Sequence, residues 1–258
     1  MKVVILCGGK GTRLKEQTES IPKPLIEIGG RPILWHIMKL YAAHGFEDFV
    51  LCLGYKGQAI KEYFMDYLSW RHHDFSLDLS GKEPNIRLLN HDREQWKITF
   101  ADTGEETNTG GRVKRIAPLV GNDDSFMVTY GDGVADIDIK KLSDYHHAHG
   151  KIGTITVVNP TLQFGLLEVG NDNRVNRFRE KPLLDQWING GFFVFRREFF
   201  DYLNESDILE RAPLERLSKD GQLMAFRHET YWDCMDTYKD TALLNELWAT
   251  GKAPWKVW

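Results

Sequence analysis

The stretch VVILCGGKGTRL, residues 3–14, decides how the rest of the chain is interpreted. Its first five residues are all apolar, which indicates a short strand buried on both faces of a sheet. Glycines and basic residues follow directly, from Gly8 to Arg13. Glycines after a strand let backbone N–H groups approach an anion closely, and phosphate is the usual anion. The stretch therefore predicts a buried strand that ends in an anion-binding turn.

Two familiar phosphate-binding patterns do not fit this turn. The dinucleotide pattern G-x-G-x-x-G requires a glycine where Leu14 stands, and the P-loop requires Ser or Thr after Gly-Lys, whereas Lys10 precedes Gly11. What remains is G-G-x-G-T-R, followed after Arg13 by Lys23 between two prolines. Two cations near one glycine turn favour a polyphosphate, because Arg and Lys together stabilise charge on a phosphate leaving group. An ordinary strand-to-helix loop with two solvated basic residues is the open alternative.

Apolar strand candidates alternate with helical patterns along the first 160 residues. This alternation predicts an α/β fold with a Rossmann-like, mostly parallel sheet flanked by helices on both faces. The predicted strands are residues 3–7, 48–54, 98–101, 126–130 and 152–158, and the predicted helices are residues 33–41, 58–68 and 139–149.

After about residue 160 the pattern changes to shorter strands, which predicts a C-terminal α+β elaboration. Its strands are expected at residues 166–169, 175–180, 191–195 and 223–228, and its helices at residues 198–203 and 239–250. Because no Pro/Ser linker or internal repeat separates the two parts, we expect one domain over residues 1–258, with a core at 1–160 and the elaboration at 161–258. Residues 69–97, rich in His and Arg, are expected to leave the sheet as a flap or subunit contact.

Composition excludes several classes of protein. The 258 residues carry 33 Lys plus Arg against 37 Asp plus Glu, a net charge of -4, which is too acidic for a protein that grips nucleic acid. No apolar run reaches membrane-spanning length, so we expect no membrane partner. The three cysteines, Cys7, Cys52 and Cys234, lie in apolar or aromatic sequence and are expected to be reduced thiols of a cytoplasmic protein.

Aspartates near the predicted sheet edge are candidate metal ligands. Asp132 follows the strand predicted at 126–130, at the edge where open α/β sheets bind ligands. A triphosphate requires Mg²⁺, which takes one or two protein carboxylates beside phosphate oxygens. A helix cap or a solvated loop carboxylate is the alternative for any single aspartate. Asp136 and Asp138 form the D-x-D pair of metal-dependent glycosyltransferases, but Asp138 precedes a predicted helix and fits its N-cap.

Three histidines close together, His146, His147 and His149, invite comparison with a zinc site. They lie late in a predicted helix without a nearby cysteine or fourth ligand. We therefore expect helix-end histidines that interact with the C-terminal dipole rather than a metal.

The motif GGKGTRL followed by PKP resembles the signature of the sugar-nucleotide pyrophosphorylases, nucleotidyltransferases that join a nucleoside triphosphate to a sugar 1-phosphate. Further blocks, among them IEIGGRPILWHIMKLYAAHG, NTGGRVKRI, TYGDGVADIDI, INGGFFVF, MDTYKD and GKAPWK, extend the resemblance over nearly the whole chain. It is strongest to the branch that uses CTP and glucose 1-phosphate. The resemblance implies the nucleotide-diphospho-sugar transferase fold, Mg²⁺ as cofactor and a homo-oligomer.

The resemblance also implies roles for particular residues. The glycine turn, the TNTGGR block and Gly131 would contact the nucleotide. The EKP and INGG blocks, with Gly165, would contact the sugar phosphate. Asp132 and Asp236 would bind the metal, and Asp233 is the alternative to Asp236. Taken alone, TNTGGR favours a helix start with Asn108 or Thr109 as its cap and Arg112 in exposed first turns. Taken alone, Glu180–Lys181 favours a charge pair at a strand end. The nucleotide residues are Leu6, Cys7, Gly8, Gly9, Lys10, Gly11, Thr12, Arg13, Lys23, Thr107, Arg112 and Gly131, and the sugar residues are Gly165, Glu180, Lys181 and Asn189.

The expected reaction is a direct in-line displacement at the α-phosphorus of the triphosphate. The attacking sugar phosphate is already an anion near pH 7, so positioning and charge stabilisation suffice without a general base. Arg13, Lys23 and Asp132 are the predicted catalytic residues. The same reaction with UTP or dTTP, a silent nucleotide-sugar sensor and a metal-dependent glycosyltransferase stay open as alternatives.

Overall fold

A computed structural model describes residues 1–11, 14, 18, 20–67, 74–89, 94–162 and 164–258 of the chain. Its strands are β1 (Val3–Leu6), β2 (Glu27–Ile28), β3 (Arg31–Pro32), β4 (Asp48–Leu53), β5 (Phe75–Asp78), β6 (Asn85–Leu88), β7 (Lys97–Asp102), β8 (Ser125–Tyr130), β9 (Gly133–Ala135), β10 (Gly153–Val158), β11 (Leu166–Val169), β12 (Val175–Arg179), β13 (Ile188–Arg196), β14 (Leu223–His228) and β15 (Trp232–Cys234). Its α-helices are α1 (Ile33–Ala43), α2 (Gly57–Tyr67), α3 (Thr109–Arg115), α4 (Ala117–Val120), α5 (Ile139–His149), α6 (Ala212–Lys219) and α7 (Tyr238–Ala249). Short 3₁₀ helices lie at Lys23–Leu25 and Arg197–Tyr202.

Seven strands form the central sheet in the order β14-β10-β13-β8-β1-β4-β7. β13 runs antiparallel to both of its neighbours, and every other pairing in this sheet is parallel. The predicted mostly parallel sheet is confirmed, and β1 lies in its interior between β8 and β4. This central place explains why β1 is apolar at every position.

Hydrophobic layers cover both faces of the sheet. Successive strand side chains point to opposite faces, so Val3 and Ile5 pack into one cluster with α1, while Val4 and Leu6 pack into the other with Val113 of α3. The predicted helices on both faces are therefore confirmed. In the described part of the chain, no helix combines the length and the apolar character required to cross a membrane.

Some local predictions need correction. Residues 198–203 are not α-helical, because the segment Arg197–Tyr202 forms a 3₁₀ helix. The helix α6 was missed, since its short apolar pattern begins at a proline, Pro213. The region 69–97 contributes an exposed hairpin of β5 and β6 where the structure describes it.

The sheet places the candidate site at the carboxyl ends of β1 and β8. The glycine turn leaves β1, and Asp132 follows β8 by two residues. The ribbon of β9 and β15 pairs Gly133 with Cys234, and the Met235 N–H donates to the Asp132 carbonyl at 2.9 Å. This pairing brings a segment about a hundred residues away in sequence, with Asp236, to the same edge.

Candidate active site

A cavity of about 500 Å³ opens at this edge of the sheet. Its lining includes most of the predicted nucleotide and metal residues: Leu6, Cys7, Gly8, Gly9, Gly11, Lys23, Thr107, Arg112, Gly131, Asp132 and Asp236. Thr12 and Arg13 lie outside the described residues. The lining also includes Pro24, Asn108, Thr109, Tyr130, Ile208 and Glu210, which the sequence did not predict.

Lys23 lies between two acidic side chains in the lining of this cavity. Its Nζ donates to Asp132 Oδ2 at 2.5 Å and to Asp236 Oδ1 at 2.7 Å. Lys23 stands between Pro22 and Pro24 and begins the 3₁₀ helix Lys23–Leu25. The two prolines restrict the backbone that carries the lysine. Burial by itself would lower the pKa of Lys23, but the charge of Asp132 and the hydrogen bonds to both carboxylates outweigh it and raise the pKa. Lys23 is therefore a firmly protonated cation in this place.

Asp132, Asp236 and Cys234 form a possible metal-binding group. Their ligand atoms all lie within 4.8 Å of one another. Carboxylate oxygens are the ligands Mg²⁺ prefers, so the Asp132 and Asp236 pair fits this ion, whereas the Cys234 sulfur is a soft donor that suits other metals. The two carboxylates already pair with one positive charge, the Lys23 ammonium.

The alternative ligand Asp233 takes no part in this group. Its Oδ1 accepts a hydrogen bond from the Cys234 N–H at 2.8 Å, and burial raises the pKa of its carboxyl group. Cys234 is the member that the sequence analysis missed, because we expected every cysteine in an apolar or aromatic setting. Its place two residues before Asp236 was the available signal. Burial and the neighbouring carboxylates raise the pKa of this thiol.

Arg112 is buried, with 3% of its surface exposed, so the expectation of an exposed arginine in the first helical turns is wrong. Its Nη1 donates to the carbonyls of Leu53 (2.9 Å) and Gly104 (2.8 Å) and to Thr103 Oγ1 (2.8 Å). Its Nη2 donates to the carbonyls of Gly8 (3.0 Å) and Glu105 (3.1 Å). The guanidinium thus joins the glycine turn to the segment before α3.

The glycine turn has internal reasons for its composition. A Cβ at Gly8 would collide with the Arg112 guanidinium, and the same holds for Gly54 after β4. Gly11 has a φ of 60°, in the left-handed region that favours glycine. Lys10, a predicted nucleotide residue, is absent from the cavity lining and forms an exposed ion pair with Glu106, with 2.6 Å between Nζ and Oε1.

The predicted sugar residues divide into two groups. Asn189 on β13 is linked to the cavity, because its Nδ2 donates to the Tyr130 hydroxyl at 3.1 Å. Gly165, Glu180 and Lys181 are absent from the cavity lining among the described residues. Glu180 and Lys181 are exposed and 4.0 Å apart. A Cβ at Gly165 would lie 2.7 Å from the ring of Phe178, so close packing on that ring accounts for this glycine.

The two patterns set aside in the sequence have structural roles. Asp138 accepts a hydrogen bond from the Lys141 N–H and caps α5, as predicted. Asp136 Oδ1 accepts from the Thr230 hydroxyl at 2.6 Å. His146 bonds to Thr154 at 2.8 Å, and burial lowers its pKa to about 3. A neutral His146 contributes no charge to the helix end, whereas His147 Nδ1 lies 2.7 Å from the Ser143 carbonyl of α5. The expected interaction of the histidines with the helix dipole stays a prediction.

Comparison with known proteins places the chain in a family. The nucleotidyl transferase family model matches residues 2–249. The chain belongs to the nucleotidyl transferase family. The sequence is 48% identical over 260 aligned residues to the glucose-1-phosphate cytidylyltransferase of Salmonella typhimurium, and the match covers 100% of both chains.

Solved structures share the architecture. HddC from Yersinia pseudotuberculosis superposes with a TM-score of 0.70 at 25% identity, over 96% of this chain and 99% of that chain. An apo UDP-glucose pyrophosphorylase superposes with a TM-score of 0.68 at 14% identity, over 97% of this chain and 98% of that chain, which shows a common fold only. The chain therefore has the nucleotide-diphospho-sugar transferase fold expected from its sequence.

Proposed function

We propose that the chain transfers a cytidylyl group from CTP to α-D-glucose 1-phosphate and releases CDP-glucose and pyrophosphate. The observation that carries this proposal is the convergence of Lys23, Asp132 and Asp236 in the lining of a cavity that the glycine turn also borders. The choice of CTP and glucose 1-phosphate is supported by the full-length identity of 48% to a relative of that name.

The nucleotide is proposed to lie along the glycine turn. Leu6, Cys7, Gly8, Gly9 and Gly11 line the cavity together with Gly131, and their backbone groups are proposed to contact the base and phosphates. Lys10, Thr12, Arg13 and Thr107 complete the proposed contacts. Arg112 contributes mainly by fixing Gly8 and the 103–105 segment, since its N–H groups already donate to the protein.

Asp132 and Asp236 would hold the divalent ion that the family uses. When bound, Mg²⁺ supplies positive charge that stabilises the phosphate oxygens of the triphosphate. The two carboxylates provide the oxygen donors that such an ion requires, and they are 25% and 33% exposed, which leaves them accessible from the cavity.

Lys23 is the cation proposed to act on the reacting phosphates. The Lys23 ammonium has three donors. A short, proline-flanked turn holds its backbone, and the side chain is proposed to shift a small distance from the carboxylates to phosphate oxygens. Such donors act by stabilising charge in the transition state, and the anionic sugar phosphate requires no base. Arg13 is proposed to stabilise the departing pyrophosphate.

The sugar phosphate is proposed to contact residues of the C-terminal part. Asn189 is the residue best placed for it, and Gly165, Glu180 and Lys181 are the further candidates from the sequence. We keep residues 1–160 as the proposed nucleotide part, residues 161–258 as the proposed sugar part, and the homo-oligomer as a prediction from the resemblance.

The test is a pyrophosphate-release assay with four nucleoside triphosphates and several sugar 1-phosphates. We expect the highest kcat/KM for CTP with glucose 1-phosphate and a product with the mass of CDP-glucose. Highest activity with UTP or dTTP would contradict the substrate assignment. Release of free nucleoside diphosphate in a parallel assay that supplies CDP-glucose and a sugar acceptor would indicate a glycosyltransferase. Binding without turnover would indicate a nucleotide-sugar sensor.

A further inference from the structure

Glu210 is a cavity residue that neither the sequence motifs nor the proposed mechanism uses. It lies between the 3₁₀ helix Arg197–Tyr202 and α6. Its Oε1 accepts a hydrogen bond from the Tyr130 hydroxyl at 2.5 Å, and its Oε2 accepts from the Thr109 hydroxyl at 2.8 Å. One carboxylate thus joins the start of α3 to the end of β8, two residues before Asp132.

The hydrogen bonds continue from Tyr130 to Asn189 in one direction. A carboxylate only accepts, so the single proton of the Tyr130 hydroxyl points to Glu210. The Tyr130 oxygen is then left as an acceptor, and Asn189 Nδ2 donates to it at 3.1 Å. At the other end of the amide, Asn189 Oδ1 accepts from the Gly191 N–H at 2.8 Å.

The Gly191 N–H fixes the orientation of the Asn189 amide, and the Tyr130 oxygen provides its second hydrogen bond. Without an acceptor beyond Tyr130, the phenol proton could face the amide N–H, and this second hydrogen bond would be lost. With Glu210 present, the amide oxygen faces Gly191 and one N–H faces Tyr130. The second N–H of Asn189 is then available as a donor. Cooperative polarisation along such a chain strengthens each bond in it.

We propose that Glu210 is a positioning residue that, through Tyr130, makes Asn189 present an N–H donor to an oxygen of the sugar 1-phosphate. The inference rests on the proposed function, because it assigns the sugar to the Asn189 side of the cavity. It predicts that losses at Glu210 fall on the sugar substrate rather than on CTP. It also predicts that Glu210 and Tyr130 act as one unit.

The experiment measures steady-state kinetics of the full chain with each substrate varied separately. The variants are Glu210→Ala, Glu210→Gln, Tyr130→Phe and the double variant of Glu210→Ala with Tyr130→Phe. Glu215→Ala is the matched control, since Glu215 is an exposed glutamate in the first turn of α6. Thermal unfolding of every variant reports whether the fold persists.

We expect Glu210→Ala to raise KM for glucose 1-phosphate about tenfold, the usual effect of losing a hydrogen bond to a charged group, and to change KM for CTP less than about twofold. Glu210→Gln should restore most of the loss, because an amide oxygen still accepts from Tyr130. The double variant should match the worse single variant, since coupled residues give non-additive effects. Glu215→Ala should match the wild type.

Equal increases in both KM values, or additive losses in the double variant, would overturn the inference and leave Glu210 as a structural tie. The kinetics of the wild type distinguish a failure of this inference from a failure of the proposed function. If the wild type prefers another substrate pair, the substrate assignment falls and the same KM ratios are measured with that pair. If the wild type has no turnover, the ratio of calorimetric affinities for glucose 1-phosphate and CTP replaces the KM ratio, with the same expectations.

Discussion

Removal of the Lys23 charge is predicted to change how the chain responds to Mg²⁺ as well as how it reacts. In the structure, the Lys23 ammonium donates to Asp132 and Asp236 at 2.5 and 2.7 Å, in the place proposed for the ion. Lys23→Ala leaves two neighbouring carboxylates without a counter-charge. Mg²⁺ alone should then stabilise the variant more than the wild type, in which the ion competes with the ammonium.

The size of the effect follows from the burial of the three groups. The Lys23 side chain is only 11% exposed, whereas the two carboxylates are 25% and 33% exposed. Breaking a fully buried pair costs about 3–5 kcal/mol, and solvent access to the carboxylates reduces this to about 2 kcal/mol. A loss of that size lowers Tm by about 4–8 °C in a chain of this length. Mg²⁺ at a hundred times its Kd contributes about 2.7 kcal/mol, enough to offset the loss.

The assay is thermal unfolding in EDTA and across a Mg²⁺ titration without nucleotide, followed by turnover with CTP and glucose 1-phosphate. Lys97→Ala is the control, because Lys97 forms an exposed ion pair with Asp48 at 3.3 Å. After this substitution the Asp48 carboxylate still has its ion pair with Lys2 at 3.4 Å. We expect Mg²⁺ to restore the Tm of Lys23→Ala but not its turnover, with KM for CTP changed far less than kcat. If Mg²⁺ raises the Tm of the variant and of the wild type equally, the ion does not bind where the Lys23 ammonium lies. Unchanged turnover would show that Lys23 takes no part in the reaction.

Four further substitutions test other parts of the site. Asp236→Asn should lower kcat on the order of a hundredfold in the pyrophosphate-release assay. Asp233→Asn, outside the carboxylate pair, should keep the kcat and the Mg²⁺ dependence of the wild type. A large loss of kcat in Asp233→Asn and none in Asp236→Asn would exchange their roles. Arg112→Lys should lower the free energy of unfolding by about 2–4 kcal/mol in urea, because an ammonium has three donors where the guanidinium makes five hydrogen bonds, and an unchanged midpoint would contradict this. Cys234→Ser should weaken Cd²⁺ binding about tenfold in an equilibrium titration and leave Mg²⁺ binding unaltered, because sulfur binds soft metals and Mg²⁺ prefers oxygen; equal effects on both ions would contradict this.

The fold was predictable because its signals are local. β1 lies between two parallel strands, so it is apolar at every position, and an apolar run that ends in glycines is visible without any other information. Asp132 was predictable for a related reason, since a carboxylate just after a buried parallel strand lies at the ligand-binding edge of the sheet. The link between Asp132 and Asp236 came from the family resemblance, and the pairing of β9 with β15 supplies its physical basis.

The missed residues depend on contacts that sequence spacing does not encode. Glu210 meets Tyr130 across 80 positions and Thr109 across 101 positions of sequence. Cys234 is in the candidate metal group because β15 pairs with β9, although its immediate neighbours in sequence are aromatic and apolar as well as acidic. In both cases the tertiary fold supplies the partner, so local pattern alone assigns only a loop glutamate and a reduced thiol.

Arg112 shows how a correct residue can be predicted for an incomplete reason. The sequence analysis assigned the glycines of the turn to close approach of a phosphate, and an arginine near a helix start to solvent or to the nucleotide. In the structure, Gly8 lacks a Cβ where the Arg112 guanidinium lies, and Gly54 meets the same group from the end of β4. The guanidinium in turn donates to the Gly8 carbonyl, so the conformation of the turn depends on a side chain more than a hundred residues away. A glycine motif at a phosphate turn therefore reports packing within the protein as well as space for the ligand, and only the structure separates the two.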